Sequence, residues 1–215
     1  MIKIDGKLSL MEQTLVKMGN RTISMHECVC EVLAQPSKDR ELEIIQADDR
    51  INHMEEEIND LAIESLALLA PVASDLRKVI GTIKIATELE RIGDYAKNIA
   101  KFMIKHDHLS DVIADYSISM EKDLIRMLEQ ALQCMVDQDE EAAFAIPERD
   151  NMINQQMQDI RAKLLSKENL EKEDILKELF EISAMLRNIE RAGDHVKNIC
   201  EHVLYMMKGQ HYDFG

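Results

Sequence analysis

The sequence contains no tryptophan, and only four phenylalanines and four tyrosines among 215 residues. A core must therefore be built from leucine, isoleucine, methionine, valine and alanine. Glycine, with seven copies, and proline, with three, are also scarce. These residues punctuate strands and tight turns, so their shortage favours long helices over a β-rich chain. No run of about 18 apolar residues suggests a membrane span. The opening MIKIDGKLSLMEQ lacks the apolar stretch of a secretory signal. The four cysteines, Cys28, Cys30, Cys134 and Cys200, follow neither a zinc-ligand spacing nor a dense disulfide framework. They read as reduced thiols of a cytoplasmic protein, with Cys28-Val29-Cys30 packing on a helix face.

Basic residues are the other shortage. Twenty-six lysines and arginines face 41 acids, giving a formal charge of −15. A nucleic-acid binder would carry a basic stripe, and none is present. The acids must be solvated, or matched by a basic partner or by cations.

What is present is helical period. The pattern predicts six helices, over about 8–35, 39–69, 74–105, 111–136, 140–165 and 172–208. In the second, Ile44, Ile51 and Ile58 recur every seven residues. Pro71 marks the next turn, and Ser74 is placed as the N-cap of the third helix. Pro147 is expected to kink or start the fifth. The polar stretch 106–111 sets a boundary between units 1–107 and 108–215. The tail GQHYDFG is expected to fray. Three long helices, a break and three more define an all-α protein of two similar antiparallel three-helix bundles.

An internal duplication supports that reading. LERIGDYAKNIA, residues 89–100, returns as IERAGDHVKNIC, residues 189–200. Upstream, Asp48-x-x-Ile51-Asn52 returns as Asp150-x-x-Ile153-Asn154. On a helix, Glu90, Asp94 and Asn98 form one line of oxygen-bearing side chains. Asp48, Asn52 and Glu55 form another on the preceding helix. Packed together, the two lines would flank one groove. Such oxygen ligands suit Mg, Ca or Mn, and also iron. The glycine is expected to let a neighbouring helix or a ligand approach closely. The competing reading is a solvated acidic face, with Arg91 and Arg191 as local ion-pair partners. The second line is poorer, because Met157 stands where Glu55 stands in the first. The stretch around Asp75 has no clear counterpart in the second half, with Asp174 a candidate replacement.

With these motifs assembled, the chain resembles the PhoU family of phosphate-uptake regulators. The resemblance rests on ADDRINHMEEEI, PVASDLRKVI, ELERIGD, IERAGD and NICEHVLYMMKG, and it covers nearly the whole length. It implies two similar bundles whose E(D)xxxD motifs hold multinuclear metal clusters of Fe, Zn, Mn or Mg. The metal candidates it marks are Asp48, Asn52, Glu55, Asp75, Glu90 and Asp94, then Asp150, Asn154, Glu190 and Asp194. It also implies negative regulation of the phosphate ABC transporter through its ATPase subunit, and signalling to a sensor histidine kinase. No catalytic residue is implied. A homodimer is expected, since methionine-rich amphipathic bundles often associate.

Two other functions stay open at this point: a phosphatase-like carboxylate enzyme and a metal-free docking scaffold. A ferritin-like oxidase is disfavoured, because none of the seven histidines has a glutamate three residues before it. HExxH and a phosphate-binding loop are absent. His195 and His202, near the second line, are candidate ligands but read better as partly exposed surface histidines.

Overall fold

The first helix, α1 (Ile4–Ala34), buries Met11, Leu15, Met18, Met25, Val29 and Val32 along one stripe. The spacing of three, four and seven residues is what an amphipathic helix needs to cover a core. The structure, a computed structural model, describes residues 4–106, 108–164 and 173–215, and for 173–178 the backbone alone. Among the described residues all regular structure is helical.

Pro36 stops α1, and α2 (Lys38–Leu69) returns beside it, burying Ile44, Ile51 and Ile58. Ala70 ends α2 in a left-handed conformation, φ 44°. Pro71 cannot continue the helix. The extended Val72 behind it is the N-cap of α3 (Ala73–Lys105), its carbonyl accepting from the Leu76 N–H at 3.0 Å. Ser74 therefore lies inside the first turn of α3 and does not cap it.

The second half repeats the plan with one break. After α4 (Asp111–Asp137), Asp139 caps a short α5 (Glu140–Ala145), accepting the Ala142 N–H at 3.0 Å. A 3₁₀ turn, Ile146–Arg149, contains Pro147 and leads into α6 (Asp150–Leu164). Proline has no N–H to give the ladder, so the expected fifth helix divides there. The last helix is α7 (Glu173–Lys208). The break expected between the helices over 140–165 and 172–208, and the side chain of Asp174, lie outside the described residues.

Helices α1, α2 and α3 pack on one another, as do α4, α6 and α7. The two bundles also share a seam, where α3 runs along α7 and α1 along α4. One continuous core runs through both halves. Gly81 lets the seam close: a Cβ there would come within 2.1 Å of the Met206 Cγ. The tail is tied down instead of frayed. The Phe214 N–H donates to Glu201 at 2.8 Å, and the Tyr212 and Phe214 rings meet Phe144 edge-on. Burying two aromatic rings outweighs the ordering of a few residues.

Candidate functional site

The two acidic lines of the first half do meet, and a lysine joins them. Asp48, on the buried edge of α2, is 2% exposed. Lys97 on α3 places its Nζ 2.6 Å from Asp48 Oδ2 and 2.6 Å from Asp94 Oδ1. Asn52 donates to the same Asp48 oxygen at 3.3 Å. Burial alone would depress the Lys97 ammonium, but its hydrogen bonds to Asp48 and Asp94 outweigh that and raise its pKa. Glu90 lies alongside, its pKa raised by burial and then by Asp94, with Glu55 and Asp48 adding to the repulsion. Arg91 offers only distant relief, 3.5 Å from Glu90 and 3.8 Å from Asp94. Glu55 accepts from the Thr87 hydroxyl at 2.8 Å.

The second half repeats the bridge. Lys197 stands 3.1 Å from Asp150 and 2.9 Å from Asp194, and Asn154 donates to Asp150 at 2.8 Å. Burial raises the Asp150 pKa despite Lys197. Here the line is less complete. Glu190 turns to Arg161 at 3.5 Å, Asp194 is half exposed, and Met157 is sunk in the core at 1% exposure. Lys197 also donates to the main-chain oxygen of Gly215 at 2.7 Å.

The repeated glycine serves the two halves differently. At Gly193 a Cβ would land 2.6 Å from Asp150 Oδ1, so the missing side chain is what admits the buried carboxylate. At Gly93 the nearest atom to such a Cβ is Ile51 Cγ2, at an ordinary 3.6 Å. The expected close approach is present in the second half alone.

Lys97 thus joins Asp48, with Asn52 beside it, to Asp94, and Glu55 and Glu90 stand close enough to add repulsion; Lys197 joins Asp150, with Asn154 beside it, to Asp194, while Glu190 pairs with Arg161. Asp75 stands apart, in the first turn of α3, 19 residues from Asp94 and about 28 Å along the axis. Among the described residues no three His, Cys, Asp or Glu side chains are gathered closely enough, as they stand, to hold one ion. The thiols are poor ligands too, since burial pushes Cys30 up to about 12 and Cys134 up to about 11.

Lys97 and Lys197 were visible in the repeat, but the i, i+3 step from each aspartate reads as an ordinary surface pair until α2 or α6 is packed beside it. The seam holds two further polar clusters that the sequence did not announce. His26 on α1 and Glu121 on α4 are both fully buried, with Nδ1 2.8 Å from Oε2. The other ring nitrogen, Nε2, lies 3.0 Å from the Ile92 carbonyl. A carbonyl only accepts, so Nε2 carries a proton and the second proton is shared along Nδ1···Oε2. Burial opposes a charged His26, yet Glu121 outweighs it and raises the pKa. On the other face, Glu88 of α3 receives His195 at 2.5 Å, Asn198 at 3.1 Å and His202 at 3.4 Å from α7. Both histidines are partly exposed, as expected, and their rings meet Glu88 across the seam. Burial would raise Glu88, but these bonds hold it at about 2.

A helical bundle duplicated within one chain, with a lysine-bridged acidic line on each half, defines the class. The family model of the PhoU domain matches it twice, over residues 15–103 and 118–203. The chain belongs to the PhoU family. It is 31% identical over 218 residues to the phosphate-specific transport system accessory protein PhoU of Escherichia coli (strain K12), covering 98% of this chain and 87% of that protein. It is 29% identical over 217 residues to the PhoU homolog of Clostridium acetobutylicum, covering 98% and 97%. The crystal structure of PhoU from Pseudomonas aeruginosa matches with a TM-score of 0.89 at 26% identity, over 97% of this chain and 100% of that one. The phosphate transport system regulatory protein PhoU from Streptococcus pneumoniae matches at 0.85 and 25% identity, over 98% and 100%. No helix among the described residues is long and apolar enough to cross a membrane.

Proposed function

We propose that the chain is a non-enzymatic cytoplasmic regulator that restrains phosphate uptake. It acts on the ATPase subunit of a phosphate ABC transporter and on a sensor histidine kinase. The observation that carries the reading is the double family match, together with near full-length similarity to proteins named as phosphate transport accessories. The test is phosphate uptake and phosphate-responsive transcription in a deletion strain, at high and low phosphate. Loss of restraint at high phosphate is expected; unchanged uptake and transcription would sink the proposal.

We further propose that the first acidic groove takes a hard cation. Its donors fit: Asp48 Oδ1 and Asn52 Oδ1 are buried oxygens without a hydrogen-bond partner, and Glu90 is crowded by carboxylates. Asp48, Asn52, Glu55, Glu90 and Asp94 would hold Mg, Mn, Zn or iron by oxygen alone. The bound ion would supply positive charge, and Lys97 would yield its place between Asp48 and Asp94. The second groove, with Asp150, Asn154, Glu190 and Asp194, is the poorer candidate: Asp150 Oδ1 is also a buried oxygen without a hydrogen-bond partner, but Met157 replaces the outer glutamate and Glu190 pairs with Arg161. Elemental analysis of untagged protein should find metal that disappears in Glu90→Ala/Asp94→Ala. Metal-free protein after incubation with iron, manganese, zinc and magnesium would remove this part of the proposal and leave the regulatory reading standing.

A further inference from the structure

Lys97 and Lys197 sit in matching triangles, but they are not held alike. Lys97 bonds Asp48 and Asp94, and among the described residues it has no third partner. Lys197 bonds Asp150 and Asp194, and its third acceptor is the main-chain oxygen of Gly215 at 2.7 Å. An ammonium has three N–H groups, so the second triangle satisfies all of them and the first leaves one to solvent. The Lys197 side chain is also the more covered, 11% exposed against 19% for Lys97.

The third oxygen arrives on the tail. Gly209 ends α7 with φ 70°, a left-handed conformation that glycine adopts freely, and its N–H closes on the Tyr205 carbonyl at 2.8 Å. From there the chain turns back over the second half. Tyr212 and Phe214 set their rings edge-on to Phe144, with centroids 5.0 and 6.0 Å away. Phe144 belongs to α5, the short helix that the turn at Pro147 separates from α6, so the broken fifth helix supplies the platform. Glu201 takes the Phe214 N–H at 2.8 Å, and Lys197, one turn earlier on α7, takes the oxygen of the next residue. These fastenings are few: two half-buried rings, a histidine stacked on Tyr205 and two hydrogen bonds to α7. The tail can therefore lift without unfolding the bundle.

We propose that residues 209–215 form a strap that locks Lys197 between Asp150 and Asp194 and so holds the second groove against outside cations. A cation that enters must take the place of the ammonium, and the strap adds a third bond to be broken. Lifting the tail removes that bond and leaves Lys197 held by two carboxylates, as Lys97 is. Asp150 Oδ1, a buried oxygen without a hydrogen-bond partner, is then a donor ready for the ion. The inference rests on the cation reading of the grooves and adds a control to it. The first groove has no strap, whereas the second opens when the tail lifts.

The test has two parts, both on the full chain. Phe214→Ala and Glu201→Ala each remove one fastening, and neither residue is among the fully buried core or in the triangle. Glu201→Gln keeps an oxygen acceptor and should behave as the wild type. Lysine acylation by an N-hydroxysuccinimide ester is first followed by mass spectrometry, with Lys97 as the internal reference. Lys197 should react more slowly than Lys97 in the wild type, and as fast as Lys97 in both alanine variants. Equal rates in the wild type, or a ratio that both variants leave unchanged, would overturn the strap. Manganese binding is then titrated in a Glu90→Ala/Asp94→Ala background, which disables the first groove. Adding Phe214→Ala should tighten manganese about fivefold, the worth of one hydrogen bond. Manganese that binds equally with and without the strap, or in neither case, would overturn the control of cation entry. The cation reading is judged apart from this, by the metal that the chain loses when Glu90→Ala/Asp94→Ala is introduced.

Discussion

Lys97 reaches from α3 to Asp48 on α2 at 2.6 Å, and its own helix supplies a second carboxylate, Asp94, at the same distance. The same triangle recurs about Lys197. The duplicated phrase is therefore, first, a device that pairs a buried aspartate with an ammonium from the neighbouring helix. A lone carboxylate at 2% exposure would be costly, and an ammonium held between two carboxylates offsets that cost.

Lys97→Met should destabilise the protein by about 3 kcal/mol, because Asp48 is left charged and unpaired. Urea unfolding measures it. If the groove takes a cation, manganese should raise the melting temperature more in this variant than in the wild type, since the competing ammonium is gone. An equal or absent rise in both would speak against a cation in this groove.

The two glycines of the repeat should respond in opposite ways to alanine. Gly193→Ala drives a methyl into Asp150 Oδ1 and should cost about 1–3 kcal/mol. Gly93→Ala meets only ordinary contacts and gains helix propensity, so it should be neutral or stabilising by up to about 1 kcal/mol. Matched denaturant titrations of the two variants decide this.

The His26–Glu121 pair sets a pH dependence. The folded pKa of His26 lies above its ordinary 6.5. Its contribution to stability is complete below about pH 6.5 and is lost as pH rises through the folded value. Unfolding free energy should fall as pH rises above about 6.5 and through the folded value, and His26→Gln should flatten that slope. Glu88 works in the other direction. Its pKa is lowered to about 2, so its contribution is present above its ordinary 4.5 and fades as pH falls through about 2.

Glu88→Ala should cost about 1–2 kcal/mol, because it removes the acceptor shared by His195, Asn198 and His202 across the seam. Among the described residues, Asn188 at the repeat-related position bonds the carbonyls of Ala184 and Met185 on its own helix and nothing across the seam. Asn188→Ala should cost less. Equal losses would contradict a seam held on one side.

Much of this was present in the sequence alone. Helical period, the break at Pro36, the turn at Pro71 and the duplication all follow from local spacing, because a helix relates residues three and four apart whatever surrounds it. The acid lines were legible for the same reason. Met157, read as a missing acid in the second half, is indeed a core residue. Three things depended on the tertiary structure. Lys97 became a bridge only when α2 was laid against α3. Gly193 acquired its purpose, and Gly93 did not, from a contact made by another helix. His26 and Glu121 lie 95 residues apart on helices of different halves, and no periodicity joins them. The sequence by itself determined which elements form and which of their faces are acidic. The packing of the helices on one another decided which charges are buried and what pairs with them. Helical spacing is a property of one segment, whereas burial and ion pairing are properties of two.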